Sequence, residues 1–364
     1  NPGKLLEVWD RPDQDLMATN NYLKLPGLAD VHVHLRVPGG AHKEDVRTGT
    51  AAALAGGFTT LCAMPNTDPP LVTPDAYQKA QSHADALAFC DVHHFAGASA
   101  DHTQALPALG RDAVGLKIYM DRTYGPLRVA GLFTLMACFR NWPRHKPIAL
   151  HAEGESIAVA IGLAAAFDRS IHLCHVSRRE EITLIAGAKA RGLPVTCEVT
   201  PHHLFLTADD LDTLGPLGDM RPRLGSQRDV DALWAHLDTT VDCIATDHAP
   251  HTLAEKRSDE PPPGVPGLET ALPLMLTAVS EGRLTLDRLV ALMARNPRRI
   301  YHLSTQPETW IEVDPEDRHV IENEGLHTKC GWSPFAGRRV RGRIRRVQLR
   351  GDLVFDDGVI RSVQ

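Results

Sequence analysis

Ala29-Asp30-Val31-His32-Val33-His34-Leu35 alternates apolar and polar side chains with the two-residue period of a β-strand, and its last polar positions are imidazoles. Side chains of a strand alternate in direction. His32 and His34 are therefore predicted to share one face while Val31 and Val33 face the covering helices. Seven further short segments rich in β-branched residues follow: Thr59–Met64, Asp91–Gly97, Val114–Tyr119, Pro147–His151, Ser170–His175, Val195–Thr200 and Asp242–Asp247. Helix-periodic stretches lie between most of them, at Glu44–Ala55, Pro74–Ala86, Gly131–Arg140, Glu155–Ala166, Arg178–Arg191 and Arg228–His236. Eight strands alternating with helices predict an α/β fold, a parallel sheet closed into a (β/α)8 (TIM) barrel. An open doubly wound sheet is the rival, but no GxGxxG follows an early strand.

After Asp247 comes a Pro-rich loop, Ser258 to Pro266, then helical stretches at Leu268–Ser280 and Leu286–Arg295. From about Thr305 the pattern changes to short strands, among them Trp310–Val313 and Arg346–Phe355. The expected division is a barrel over residues 25–304, with residues 1–24 and 305–364 forming a small β-rich subdomain beside it. The 364 residues are 43% apolar and 23% charged, which excludes a disordered or collagen-like chain. A formal charge of −6 implies no general affinity for nucleic acid or anionic membrane. The longest apolar run, Ile157 to Phe167, falls short of the roughly 18 residues of a membrane span, so a soluble protein is expected. Seven scattered Cys, no CxxC and no signal peptide predict a reducing, cytoplasmic compartment. The chain opens on Asn1 and leads quickly into a strand-like segment, which reads as a domain cut from a longer polypeptide.

In a barrel enzyme the chemistry projects from the C-terminal ends of the strands. Strand 1 ends in His32 and His34, strand 4 reaches Lys117, strand 5 ends at His151, strand 6 at His175 and strand 8 at Asp247. Each alone has a plainer reading: most His are surface or core residues, and a strand-end Lys usually snorkels. Coincidence at five strand ends singles out the set as a cation site. Lys117 is the odd member, because an ammonium has no lone pair and cannot ligate a cation. Crowding among metal-binding groups favours its neutral amine, which can take up carbon dioxide and become an anionic carbamate. Such a group can bridge two metal ions, with His32 and His34 on one, His151 and His175 on the other, and Asp247 completing the first.

With these residues the chain resembles the metal-dependent amidohydrolases, and most closely the dihydroorotases. Among these it is most similar to the dihydroorotase domain of animal multifunctional polypeptides that also carry carbamoyl-phosphate synthetase and aspartate transcarbamoylase. The likeness runs from about Leu25 to Gly351. It rests on Leu25-Pro26-Gly27-Leu28-Ala29-Asp30-Val31-His32-Val33-His34-Leu35-Arg36, Ala63-Met64-Pro65-Asn66-Thr67, Gly115-Leu116-Lys117, Cys174-His175-Val176, Pro201-His202-His203-Leu204, Thr246-Asp247-His248-Ala249-Pro250-His251 and Asn296-Pro297-Arg298-Arg299.

The resemblance implies two zinc ions bridged by carboxylated Lys117. It implies that Arg36, Asn66 and His251 hold the free α-carboxylate of L-dihydroorotate or N-carbamoyl-L-aspartate, with Arg221, Pro263 and Gly264 as further substrate contacts. Thr123 and Tyr124 sit in the loop Asp121 to Pro126, which in the family closes over substrate and excludes water. Cys174 and Glu198 match positions linked to a third zinc. Asp247 is the expected proton carrier. A homodimer within a larger polypeptide is also implied, with no nucleic-acid or membrane partner. Val37 stands where an acidic residue commonly follows Arg36, Tyr124 replaces the usual Phe, and Asn1–Tyr22 matches poorly. The competing readings are hydantoinase or allantoinase chemistry on the same barrel, and a non-catalytic scaffold domain.

Overall fold

The computed structural model describes residues 22–361. The first strand, β1 (Leu23–Pro26), belongs to a side sheet. The parallel strands then come in order as β2 (Leu28–Val33), β3 (Phe58–Ala63), β4 (Asp91–His94), β5 (Ala96–Gly97), β6 (Leu116–Tyr119), β7 (Ile148–His151), β8 (Ile171–Leu173), β9 (Val195–Val199) and β10 (Cys243–Ile244). β4 and β5 are one barrel strand interrupted at Phe95, whose N–H still donates to Ala63 O at 3.0 Å. Pairing runs without a gap in order from β2 to β4 and from β5 to β10. Val33 bridges His248 in parallel register, and His34 N donates to His248 O at 2.8 Å. These contacts join the first barrel strand to the segment after the last and close the barrel.

The helices cover the barrel as the periodicity predicts, each buried along one face. Helix Val46–Ala55 starts on a capping box between Asp45 and Thr48, and helix Pro74–Leu87 on Thr73 with Pro at its first position. Two details of the barrel's interior packing and its last helices differ from the sequence reading. Val31 packs in the inward cluster with Cys62, Phe95, Ala149, Cys174 and Tyr301, while Val33 packs in the larger outer core. The register between β2 and β3 shifts between Asp30 and Val33, so strict alternation fails there. The helix expected over Leu286–Arg295 continues to Tyr301, because residues Ala291–Arg295 form a π turn that accommodates Pro297.

Beyond the barrel come β11 (Trp310–Val320), β12 (Arg339–Leu349), β13 (Asp352–Asp356) and β14 (Val359–Ile360). With β1 they form an antiparallel sheet in the order β1-β11-β12-β13-β14. Arg346–Phe355 is therefore a hairpin and not one strand. Its turn is Arg350-Gly351, with φ of 52° and 93°. Of the segment 1–24 only its last residues lie among those described. No helix among the described residues is long and apolar enough to cross a membrane.

Candidate metal centre and anion clamp

The parallel strands bring the predicted polar residues together at the mouth of the barrel. His32 Nε2 and His34 Nε2 lie 3.3 and 3.2 Å from Asp247 Oδ1. The hydrogen bonds on the far side of each ring fix its tautomer. His32 Nδ1 donates to Glu198 Oε1 at 2.5 Å and His34 Nδ1 to Asn66 Oδ1 at 2.9 Å, since both oxygens can only accept. Each Nε2 is thus left with a lone pair, and both point at a carboxylate oxygen. Three acceptors converging on one point repel unless a proton or a cation sits among them. The observed spacings match the roughly 3.3–3.4 Å between donors that each lie about 2.0–2.1 Å from a tetrahedral ion.

The second pair has the same logic. His151 Nε2 donates to Glu153 Oε1 at 3.1 Å, which leaves Nδ1 as a lone pair 2.8 Å from His175 Nε2. Nitrogens this close need a proton or a cation between them. His175 Nδ1 is buried without a partner. Lys117 is fully buried beside these rings, with Nζ 3.5 Å from His32 Nε2 and donating to Cys174 Sγ at 2.9 Å. Lys117 faces no carboxylate within salt-bridge reach among the described residues. Cys174 and Glu198 cluster with His32, and His32, His175 and Asp247 form a second cluster. The donors present therefore fit a divalent metal ion.

Electrostatics agree. Burial, then Lys117, lowers His32; burial, Arg36 and Lys117 hold His34 well below the ordinary imidazole value. Burial and the neighbouring His151 and His32 do the same to His175. These rings are neutral at neutral pH, the form in which an imidazole can ligate a metal. Asp247 is raised by burial, which suits a group that takes and returns a proton. Burial raises Glu198, but the contacts from His32 and His172 outweigh it and hold the carboxyl well below its usual range.

The proposed anion contacts gather beside this centre. Arg36, 7% exposed, donates from Nε to Pro250 O at 3.0 Å, and its Nη2 lies 2.9 Å from His251 Nε2. Arg36 has no carboxylate partner among the described residues. Asn66 serves the loop as well as His34, since its Nδ2 donates to Tyr124 O at 3.1 Å. Thr123 and Tyr124 line a cleft of about 450 Å³ with Arg122, Arg128 and Pro263. Arg221 is held by Asp219 Oδ1 at 2.5 Å and Met220 O at 2.7 Å. Pro263 O lies 3.1 Å from His251 Nε2. Gly264 has φ of +136°, and a Cβ there would lie 2.6 Å from Ala249 O, so glycine is required.

Several residues at this site escaped the sequence reading. Glu153 orients His151, and His172 donates to Glu198 at 3.0 Å. Lys256 is fully buried and donates to Asp219 O, Pro262 O and Gly264 O at 3.0–3.1 Å, stitching the loops of Arg221 and Gly264 together. Lys43 touches Tyr124 and His251. The signals available were weak: Glu153 falls two residues after a strand-end His, and Lys43 lies in a polar run before a helix.

A family model described as Dihydro-orotase-like matches residues 22–102. A dihydroorotase of Halobacterium salinarum is 36% identical, covering 88% of this chain and 83% of that protein. The chain belongs to the dihydroorotase family. The multifunctional protein CAD of Squalus acanthias is 50% identical over 95% of this chain, which spans 15% of that relative's length. Among solved structures, L-hydantoinase from Arthrobacter aurescens superposes with a TM-score of 0.87 at 25% identity, covering 94% of this chain and 87% of that one. An inactive dihydroorotase-like domain of a Chaetomium thermophilum CAD-like multifunctional protein gives a TM-score of 0.80 at 28% identity, over 94% and 97% of the two chains. The dihydroorotase family implies a metal cofactor, and the donor set above fits one.

Proposed function

We propose that this chain catalyses the reversible cyclisation of N-carbamoyl-L-aspartate to L-dihydroorotate, with two zinc ions bridged by carboxylated Lys117. The observation that carries the substrate is Arg36. A guanidinium taken out of water needs an anion, and this one has none of its own among the described residues. A substrate carboxylate supplies it. Neither hydantoin nor allantoin presents a carboxylate beside its ring nitrogen, so the clamp favours dihydroorotate over the substrates of the hydantoinase barrel.

Divalent ions held by His32, His34, His151, His175 and Asp247 would polarise the amide carbonyl and acidify water toward a pKa of about 7. The chain's own residues orient and move protons. Arg36, Asn66 and His251 hold the α-carboxylate, with Arg221 and the Pro263–Gly264 backbone on the rest of the ring. In ring opening, water oxygen joins the amide carbon and the C–N bond breaks. Asp247 carries the water's proton to the departing nitrogen. In closure the same carboxylate takes the proton from the carbamoyl nitrogen, and water leaves.

A buried lysine without a carboxylate partner, set among metal donors, supports carboxylation of Lys117; Cys174 and Glu198, grouped with His32, support a third ion. The family likeness extends the reading to a homodimer within a cytoplasmic multifunctional polypeptide. The non-catalytic alternative is disfavoured because His32, His34, Lys117, His151, His175 and Asp247 are all present.

The test offers L-dihydroorotate, hydantoin and allantoin side by side to the zinc-loaded chain. Ring opening of dihydroorotate alone is expected. Turnover of hydantoin with dihydroorotate untouched would reassign the substrate, and no turnover with metal bound would make the domain non-catalytic.

A further inference from the structure

Lys43 lies in the polar run Ala41–Asp45, outside every motif that carries the family likeness. Its side chain is nonetheless buried, and its ammonium donates to Tyr124 Oη at 2.9 Å and lies 3.2 Å from His251 Nδ1. It also pairs with Glu255 Oε1 at 2.9 Å. Tyr124 stands edge-on to His251 at 4.9 Å, with the Lys43 ammonium 4.6 Å and the Arg36 guanidinium 5.2 Å from its ring centre. Its backbone carbonyl accepts from Asn66 Nδ2. The tip of the loop Asp121–Pro126 therefore rests on Arg36, Asn66 and His251, and Lys43 is the contact that depends on the phenol hydroxyl.

We propose that Lys43 is a positioning residue that latches this loop through the Tyr124 hydroxyl while no substrate is bound, and that fixes the His251 ring for the anion site. Lys43 meets His251 at Nδ1 while Arg36 Nη2 and Pro263 O meet its Nε2 at 2.9 and 3.1 Å, so the ring is gripped from both sides. Glu255 neutralises Lys43, so the lysine holds the loop and leaves Arg36 as the cation that takes the substrate anion. A phenylalanine at 124 would keep the ring contacts and lose the latch. The proposal rests on the reading of Arg36, Asn66 and His251 as the substrate clamp, but its test does not require turnover.

Arg122 and Arg128 are exposed and flank Tyr124, so trypsin reads how often the loop opens. Without substrate, Tyr124→Phe and Lys43→Met should each raise nicking at these two arginines about tenfold, the scale of a hydrogen bond to a charged donor. The double variant should be nicked no faster than either single one, with thermal midpoints unchanged. Dihydroorotate should slow nicking of the wild-type chain, and in ring opening Tyr124→Phe should shift KM more than kcat. Unchanged nicking in Tyr124→Phe, or single effects that multiply in the double variant, would overturn the latch. A latch that behaves as expected in a chain that does not turn over dihydroorotate would instead refute the substrate reading.

Discussion

Replacing Arg36 by Met keeps the length and apolar stem of the side chain and removes only its charge and donors. The structure sets the size of the effect. The guanidinium is 7% exposed, Nε is committed to Pro250 O, and Nη1 has no hydrogen-bond partner among the described residues. The terminal nitrogens are thus the groups available to a bidentate carboxylate. Removing one partner of a buried ion pair costs about 3–5 kcal/mol, and tenfold corresponds to about 1.4 kcal/mol. Arg36→Met should therefore lower kcat/KM for L-dihydroorotate by roughly 10²- to 10⁴-fold. A ring without the carboxylate never uses this interaction, so any slow turnover of hydantoin should change by less than about tenfold. The assay follows both ring openings by absorbance on zinc-loaded enzyme, with metal content measured on the same samples. An equal loss on both substrates would mean that Arg36 supports the metal centre and not the anion. A loss under tenfold on dihydroorotate with metal retained would refute the clamp altogether.

Asp247→Asn should retain bound metal and lose on the order of 10²- to 10⁴-fold in kcat, the range of a lost proton carrier; substantial turnover would move the proton to another group. Glu153→Ala should weaken metal retention about 10- to 100-fold in a chelator competition, because the His151 tautomer is no longer fixed. Glu269 accepts the N–H groups of His327 and Thr328, and burial pushes it up to about 7. Its folded value lies above the unfolded one, so its contribution to stability is full below about pH 4.5 and is lost as pH rises through about 7. Glu269→Gln should flatten the fall in unfolding free energy between pH 5 and 8 by on the order of 2 kcal/mol, and identical profiles would refute the assignment.

The barrel is legible because its signals are periodic. Each strand joins β-branched residues to a polar terminus, and each helix repeats apolar positions at helical spacing. The predicted metal donors follow from the same pattern, since strand-end side chains converge at the mouth. Where local geometry breaks periodicity, the reading fails. Val31 turns inward at a register shift, and Arg346–Phe355 folds back at a left-handed Arg350-Gly351 turn flanked by apolar residues that look continuous. Lys43 and Glu153 carry no periodic signal at all. Lys43 meets His251 across 208 positions of sequence, and only folding reveals the contact.

The barrel and its candidate metal donors say little about substrate, because the hydantoinase fold superposes closely at 25% identity. Selectivity must lie in how the loops present their groups, and here the backbone is informative. Arg36, His175 and Asp247 all have positive φ, at 62°, 36° and 46°. Such conformations cost about 1–3 kcal/mol each and persist only where the surroundings dictate them. Gly40 N donates to Arg36 O at 2.7 Å, and the Arg36 side chain reaches Pro250 O, tying the loop after β2 to the loop after β10. His175 N donates to Glu198 Oε1 at 3.2 Å. Beside Asp247, Thr246 is gripped through N–H and hydroxyl by Asp30, which also accepts from His32 N at 3.1 Å. One buried carboxylate thus sets β2 and the segment after β10 together, at the seam where Val33 meets His248 and the barrel closes. The seam and the site coincide. Loosening that seam should therefore misplace Arg36 and Asp247 relative to each other and cost activity on the carboxylate-bearing substrate before it costs the fold.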